Sequence, residues 1–172
     1  VRALTLTQPW ATLVAAGEKR IETRSWSTPY RGLLAIHAAK GFPPHARALC
    51  SSEPFAAALR REGLGGLALL SPQKVLPLGS ILAVANLADV CSTNEIGGTR
   101  RLFGAPDADG EAVLREAAFG DYSRDRYAWF LEDVVRLPDP VPAKGELGLW
   151  TPDPGALALL TRALAGTVRP TA

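Results

Sequence analysis

The chain has 172 residues, 47% of them apolar and 21% charged, with a formal net charge of +2. A mean hydropathy of +0.06 excludes a disordered chain, and the longest apolar run, Gly79 to Ala88, is broken by Asn86 and too short to cross a bilayer. A chain of this length buries roughly 70% of its unfolded surface, so it folds without a disulfide or a metal.

The elements follow in chain order. Ala3 to Thr7 alternates apolar and polar residues, as a short strand does. Gln8-Pro9 opens a helix that carries Trp10, Leu13 and Val14 at helical spacing, and Gly17 closes it. Arg20 to Trp26 is extended, with Glu22, Arg24 and Trp26 on one face and Ile21, Thr23 and Ser25 on the other. A turn at Ser27–Gly32 precedes a strand over Leu33–Ala38. Two Ala-rich helices are expected over 44–51 and 53–62, and Gly63 to Gln73 is irregular.

Leu78 to Val90 is the strongest strand pattern. Residues 92–110 read as a loop and 111–118 as a short helix. Tyr127 to Leu137 reads as a strand, and Pro138, Pro140 and Pro142 as a stiff connection after it. Gly145 to Trp150 is a last strand, and Asp153-Pro154 starts a helix over 154–165. Short strands separated by turns and a few helices predict an α+β fold, a small mixed β-barrel with peripheral helices. The expected division is one domain over 1–150 and a C-terminal helix and tail over 151–172, packed on the domain or trailing it.

Charge is uneven along the chain. Residues 1–50 carry seven Lys or Arg against two acids, and residues 51–172 carry twelve against fifteen. Trp10, Trp26 and Tyr30 lie among the N-terminal cations. Cations hold phosphates while rings stack on bases, so this third suits a nucleic-acid ligand. Cys50 and Cys91 have neither CxxC spacing nor neighbouring His pairs, so they read as reduced thiols. No metal or other cofactor is expected. The chain opens directly on a strand pattern with no charged-then-apolar segment, so the expected location is cytoplasmic, away from membranes.

The chemistry concentrates in Gln8-Pro9-Trp10, in Gly17 to Trp26, and in Tyr30-Arg31-Gly32. Glu22 and Arg24 are two apart, so a strand aims them the same way. Lys19 sits in the preceding turn, where alternation does not fix its direction. A carboxylate between two cations stays ionised and accepts hydrogen bonds from the amino edge of a base. An ion pair of purely structural purpose uses the same residues. A second cluster runs from Phe119 to Trp129, where Tyr127 or Trp129 either walls a cleft or packs inside the barrel. Trp10 either packs its helix or lines the cleft. Trp150 and His37 are expected inside, and His45 on the surface.

The series Gln8-Pro9-Trp10, Gly17-x-Lys19-x-x-Glu22-x-Arg24-x-Trp26 and Tyr30-Arg31-Gly32, with Lys144-Gly145 to Leu149-Trp150, closely resembles the ASCH domain, the activating signal cointegrator 1 homology domain of the PUA-like superfamily. The resemblance implies a PUA-like barrel with a ligand cleft near the first helix. It points to RNA, a nucleoside or a nucleotide as partner. With the residue pattern above, the expected binding residues are Trp10, Lys19, Glu22, Arg24, Trp26, Tyr30, Arg31, Tyr127 and Trp129.

Some small bacterial members resemble hydrolases that remove an acyl group from a modified cytidine, using a Lys, a Thr three residues later and a distant Glu. Here Lys19 matches the Lys, but Glu22 stands where the Thr would be, and the distant Glu is not placed by the sequence. As an N4-acylcytidine-type amidohydrolase, or a hydrolase of RNA, the chain would use Lys19 and Glu22 as catalytic residues. A third reading, a protein-binding module using the Pro-rich connection and the last helix, draws on no specific residue.

Overall fold

A computed structural model describes residues 1–64, 71–95 and 110–167. The strands are β1 (Arg2–Leu6), β2 (Ile21–Arg24), β3 (Gly32–Ala38), β4 (Ser80–Ser92), β5 (Tyr127–Pro142) and β6 (Leu149–Trp150). They form one sheet in the order β2-β5-β4-β3-β1-β6. β1 and β3 run parallel, and every other neighbouring pair is antiparallel. The sheet curls into a half-barrel. The helices are α1 (Trp10–Ala15), α2 (Pro44–Leu49), α3 (Phe55–Arg61), α4 (Gly110–Phe119) and α5 (Pro154–Thr167). The loop expected over 92–110 lies largely outside the described residues, as does part of the irregular 63–73 stretch.

Strand alternation divides the core into two layers. Leu4, Leu34, Ile36 and Leu87 pack with Ala11 and Val14 of α1 on the concave side, together with Trp129. Ala3, Ala35, Ile81 and Val84 pack with Ala156 and Leu160 of α5 on the other side. A third cluster joins Leu13 of α1 to Phe55 and Leu59 of α3 and Phe119 of α4. Burying apolar surface at about 25 cal/mol per Å² makes these three seams the main source of stability.

β5 is longer than its pattern predicts. It continues through Pro138, Pro140 and Pro142, which the sequence reads as a connection. The ladder with β4 absorbs the prolines in an irregularity. Ala83 pairs with Arg136, and two residues back along β4 Ile81 pairs with Val141. The intervening Leu137 to Pro140 bulges out, so Pro138 and Pro140, which lack an N–H, are not asked to donate, while Pro142 lies opposite Ser80 at the end of the ladder. The last strand is correspondingly shorter than expected. Only Leu149 and Trp150 pair with β1, and Lys144 to Gly148 runs free of the ladder.

Candidate functional site

The site begins with the ends of α1. Gln8 is fully buried; its Oε1 accepts from the Thr12 N–H at 3.1 Å and its Nε2 donates to the Pro77 carbonyl at 2.8 Å. That side chain serves the first turn, where Pro9 offers no side-chain cap. At the other end Gly17 adopts φ +75°, and the N–H groups of Glu18 and Lys19 both donate to the Leu13 carbonyl at 3.0 and 3.1 Å. This left-handed stop turns the chain sharply into β2. Arg61 clamps the turn from α3 by a two-pronged pair with Glu18 at 2.8 and 2.7 Å.

Lys19 therefore enters the interior rather than solvent, and its side chain is fully buried. Its Nζ donates to the Ile21 carbonyl. The ammonium lies 3.7 Å from Glu22 Oε2 and 3.8 Å from Glu116 Oε1. Glu22 Oε1 is 3.3 Å from Arg24 Nε, and Arg24 Nη2 donates to the Thr5 carbonyl at 2.7 Å. Two cations and two carboxylates thus interleave where Lys19, β2 and α4 meet. Burial of this kind is sustained only by mutual pairing. The arrangement opens outward: the side chains of Lys19, Glu22 and Arg24 are 0, 11 and 25% exposed.

Glu116 has no place in the sequence-based site. Its Oε2 accepts from the Arg20 N–H at 2.8 Å and its Oε1 from the Ile21 N–H at 3.1 Å. The carboxylate caps the start of β2 and neutralises Lys19 at once. Burial pushes its pKa above the ordinary carboxylate value, against the pull of Lys19 and the two backbone donors. The Tyr122 hydroxyl lies 3.5 Å from Glu116 Oε1, and burial, with the nearby carboxylates, raises the phenol pKa too. Gly120 permits this approach, because a Cβ there would fall 2.6 Å from the Tyr122 ring. One sequence signal does point to Glu116. It lies three residues before Phe119, on the face that Phe119 carries inward, while Leu114 is 72% exposed.

The other predicted residues divide by position. Trp10 Nε1 donates to the Phe119 carbonyl at 2.8 Å, and its ring meets Phe55 edge-on at 5.8 Å. This strut fixes the end of α4 and hence Glu116. Trp129 is fully buried, edge-on to Trp26 at 4.7 Å, and its Nε1 donates to the Trp26 carbonyl at 3.4 Å. It has no free face for a ligand. Trp26, Tyr30 and Tyr127 are partly buried and pack on the same core cluster as Trp129. Tyr127 pairs with Arg24 across the β2–β5 ladder. The Tyr30 hydroxyl donates to the Leu33 carbonyl at 2.6 Å. Arg31 pairs with Asp89 at 3.1 Å and donates to the Thr28 and Tyr30 carbonyls, so it pins the turn to β4. His37 and Trp150 are buried, as expected, and their rings meet edge-on at 5.4 Å. Among the described residues no group of three or more His, Cys, Asp or Glu is placed to hold a metal ion, and no helix is long and apolar enough to cross a membrane.

A curled mixed sheet with a charged cluster at the α1–β2 turn defines a small α+β half-barrel domain. The chain belongs to the ASCH domain family, whose model matches residues 4–140. It is 57% identical over 35 residues to activating signal cointegrator 1 from Mus musculus, and equally so to that of Homo sapiens. Those matches span 20% of this chain and 6% of each relative. A crystal structure of the ASCH protein of Zymomonas mobilis, in a tyrosine-to-phenylalanine mutant form, superposes with a TM-score of 0.50 at 13% identity, covering 93% of this chain and 96% of that one. At that identity the likeness establishes the fold.

Proposed function

We propose that this domain binds RNA, or a nucleoside or nucleotide, where the partly exposed Arg24 stands over Glu22 beside Trp26, Tyr30 and Tyr127. One observation carries the reading: the Glu22 carboxylate, its side chain 11% exposed, is held between the Lys19 ammonium and the Arg24 guanidinium, 3.7 and 3.3 Å away. A fixed acceptor beside a fixed cation matches the amino edge of a base next to its phosphate. The partly exposed rings offer faces on which a base stacks. The family is generally linked to RNA binding, which agrees with this chemistry. Lys19 and Glu116 work from beneath, holding the strand and the carboxylate in place.

Titration of intrinsic Trp fluorescence with single-stranded RNA, duplex RNA and nucleosides tests the reading. Binding is expected with affinity that falls as salt rises, through counterion release. Arg24→Ala should weaken it while the fold persists. Absence of binding to every ligand at low salt overturns the proposal.

A second reading has its own support. Glu116 brings a sequence-distant carboxylate to 3.8 Å from Lys19, which is the pair that an acyl-removing hydrolase of modified cytidine would need. Against it stands Glu22, which offers no hydroxyl nucleophile. The adjacent Thr23 hydroxyl is occupied by the Asp121 N–H at 3.0 Å. Release of acetate from N4-acetylcytidine, lost in Lys19→Met, would establish this activity, and no release would dismiss it.

A further inference from the structure

Beside this site lies an open groove of about 1080 Å³, lined by Thr5, His37, Lys40, Pro142, Lys144 and Leu147 among others. Thr5 belongs to both places. Its carbonyl accepts from Arg24 at 2.7 Å, while its hydroxyl donates to the Glu146 carbonyl at 3.1 Å and accepts from Trp150 Nε1 at 3.0 Å. A ligand that touches Arg24 and one that enters the groove therefore stand on either side of a single residue.

The groove is firm. Its floor is His37, whose Nε2 is bonded to the Ala143 carbonyl at 3.1 Å and whose ring is held by Trp150. Gly145 presses on that ring so closely that a Cβ would fall 2.4 Å from His37 Cε1. Two exposed lysines, Lys40 and Lys144, line the groove, and neither has an ion-pair partner among the described residues. Of the two acids that also line it, Asp153 is committed to the Ala156 N–H at 3.0 Å, while Glu146 is exposed and its carboxylate has no partner among the described residues. Pro142, Ala143 and Leu147 add apolar surface, and Leu147 is 98% exposed.

Unpaired cations on an apolar-walled channel fit a chain of phosphates carrying flat, weakly polar bases. We propose that this groove is the second subsite of a single-stranded RNA ligand, taking the nucleotide and phosphate next to the one held at Arg24. The inference rests on the proposed nucleobase site and extends it: the ligand is an oligonucleotide strand rather than a free nucleoside. A duplex does not serve, because its base edges are already paired.

The test compares a short labelled single-stranded oligoadenylate and oligocytidylate with the corresponding free nucleosides, in the full chain and three variants. Lys40→Gln with Lys144→Gln should weaken oligonucleotide binding about tenfold and lower the salt slope by about 0.7, the single-strand value for the one phosphate that the lysines no longer neutralise. The same variant should bind nucleosides unchanged. Glu146→Gln, which removes negative charge from the groove, should tighten oligonucleotide binding. Arg24→Ala should weaken both ligands. The substituted lysines are exposed, and a thermal melt confirms folding. Nucleoside binding together with an unaltered oligonucleotide affinity and salt slope in the double variant overturns the groove and leaves the Arg24 site standing. Failure of nucleosides and oligonucleotides alike to bind overturns both.

Discussion

Arg24 of β2 donates to the carbonyl of Thr5 of β1 at 2.7 Å, although four strand steps separate β2 from β1 in the sheet order. Such a bond is geometrically open only because the sheet curls. It ties the first strand in the order to the fifth, and it does so with the same guanidinium that holds Glu22. Closure of the half-barrel and the charged cluster therefore share one side chain.

Removing that guanidinium should cost stability as well as ligand affinity. Arg24→Ala takes the hydrogen bond from the Thr5 carbonyl and one flanking cation from Glu22, and the expected loss is about 2 kcal/mol, the scale of one charge-assisted hydrogen bond. Arg24→Lys should recover little, since an ammonium that reaches the Thr5 carbonyl loses the place that the planar guanidinium keeps beside Glu22 at the same time. Urea denaturation reads both. A lysine variant as stable as the natural chain would show that the fork geometry is not used.

The same residues show what a sequence reveals and what it conceals. The period of two in an extended segment places Glu22 and Arg24 on one face, and the left-handed Gly17 marks the turn that delivers Lys19. These are local facts, written in consecutive residues. Glu116 is not local. It arrives from α4, and its position depends on the Trp10–Phe119 strut and on Gly120, neither of which a linear pattern exposes. Trp129, which the sequence leaves between two places, is decided by packing. Its alternation with Tyr127 and Leu131 is legible, but the side of the curled sheet that becomes concave depends on α1 packing there, and that makes Trp129 core rather than wall. The run Pro138 to Pro142 reads as a connection because proline seldom joins a ladder, and only the long pairing of β4 with β5 carries it through as a bulged strand.

Lys19→Met tests the electrostatic balance beneath the site. The variant keeps the apolar stem but strands two buried carboxylates, of which Glu22 retains Arg24 and Glu116 retains only dipoles. Loss of one partner from a buried pair costs about 3 kcal/mol or more. The effect should depend on pH. The Glu116 pKa is raised by burial above its ordinary 4.5, so this group contributes stability below 4.5 that is lost as pH rises through the folded value. Without Lys19 that rise is larger, so the stability gap between variant and natural chain should widen from pH 5 to pH 8. Denaturation midpoints across that range check it, and a gap independent of pH would separate Lys19 from Glu116 energetically.

Glu116→Gln probes the other half of the pair. The amide offers one acceptor where the carboxylate offers two, so either the Arg20 or the Ile21 N–H loses its bond. A cost of about 1 to 3 kcal/mol is expected for the unsatisfied donor. Hydrogen exchange at the start of β2 should quicken in this variant and stay unchanged in β6, at the far edge of the sheet. Uniform exchange in both strands would mean that Glu116 does not hold β2 individually.

His37 gives a prediction of opposite sign. Burial lowers its pKa below 6.5, opposed by the bond to the Ala143 carbonyl. A depressed value means stability present above 6.5 and lost as pH falls through the folded pKa. The imidazole C–H resonances should titrate with a midpoint below 6.5, and the groove floor should loosen under acid as the ring gains charge with Nδ1 buried and unpartnered. An NMR midpoint at or above 6.5 would show that the ring accepts charge without cost.

Gly145 is set against that same ring. A Cβ there would lie 2.4 Å from His37 Cε1, 2.7 Å from Nδ1 and 2.9 Å from the Thr5 hydroxyl. The ring cannot swing aside, because Trp150 meets it edge-on at 5.4 Å and Ala143 holds its Nε2. Gly145→Ala should therefore destabilise by about 1 to 3 kcal/mol, the range for overpacking a filled site. If contact with the ring is the cause, His37→Ala should cost less in the Gly145→Ala background than in the natural chain, a coupling that a double-mutant cycle on thermal or urea unfolding measures directly. Strict additivity of the two substitutions would place the cost in the backbone of the Lys144 to Gly148 segment instead.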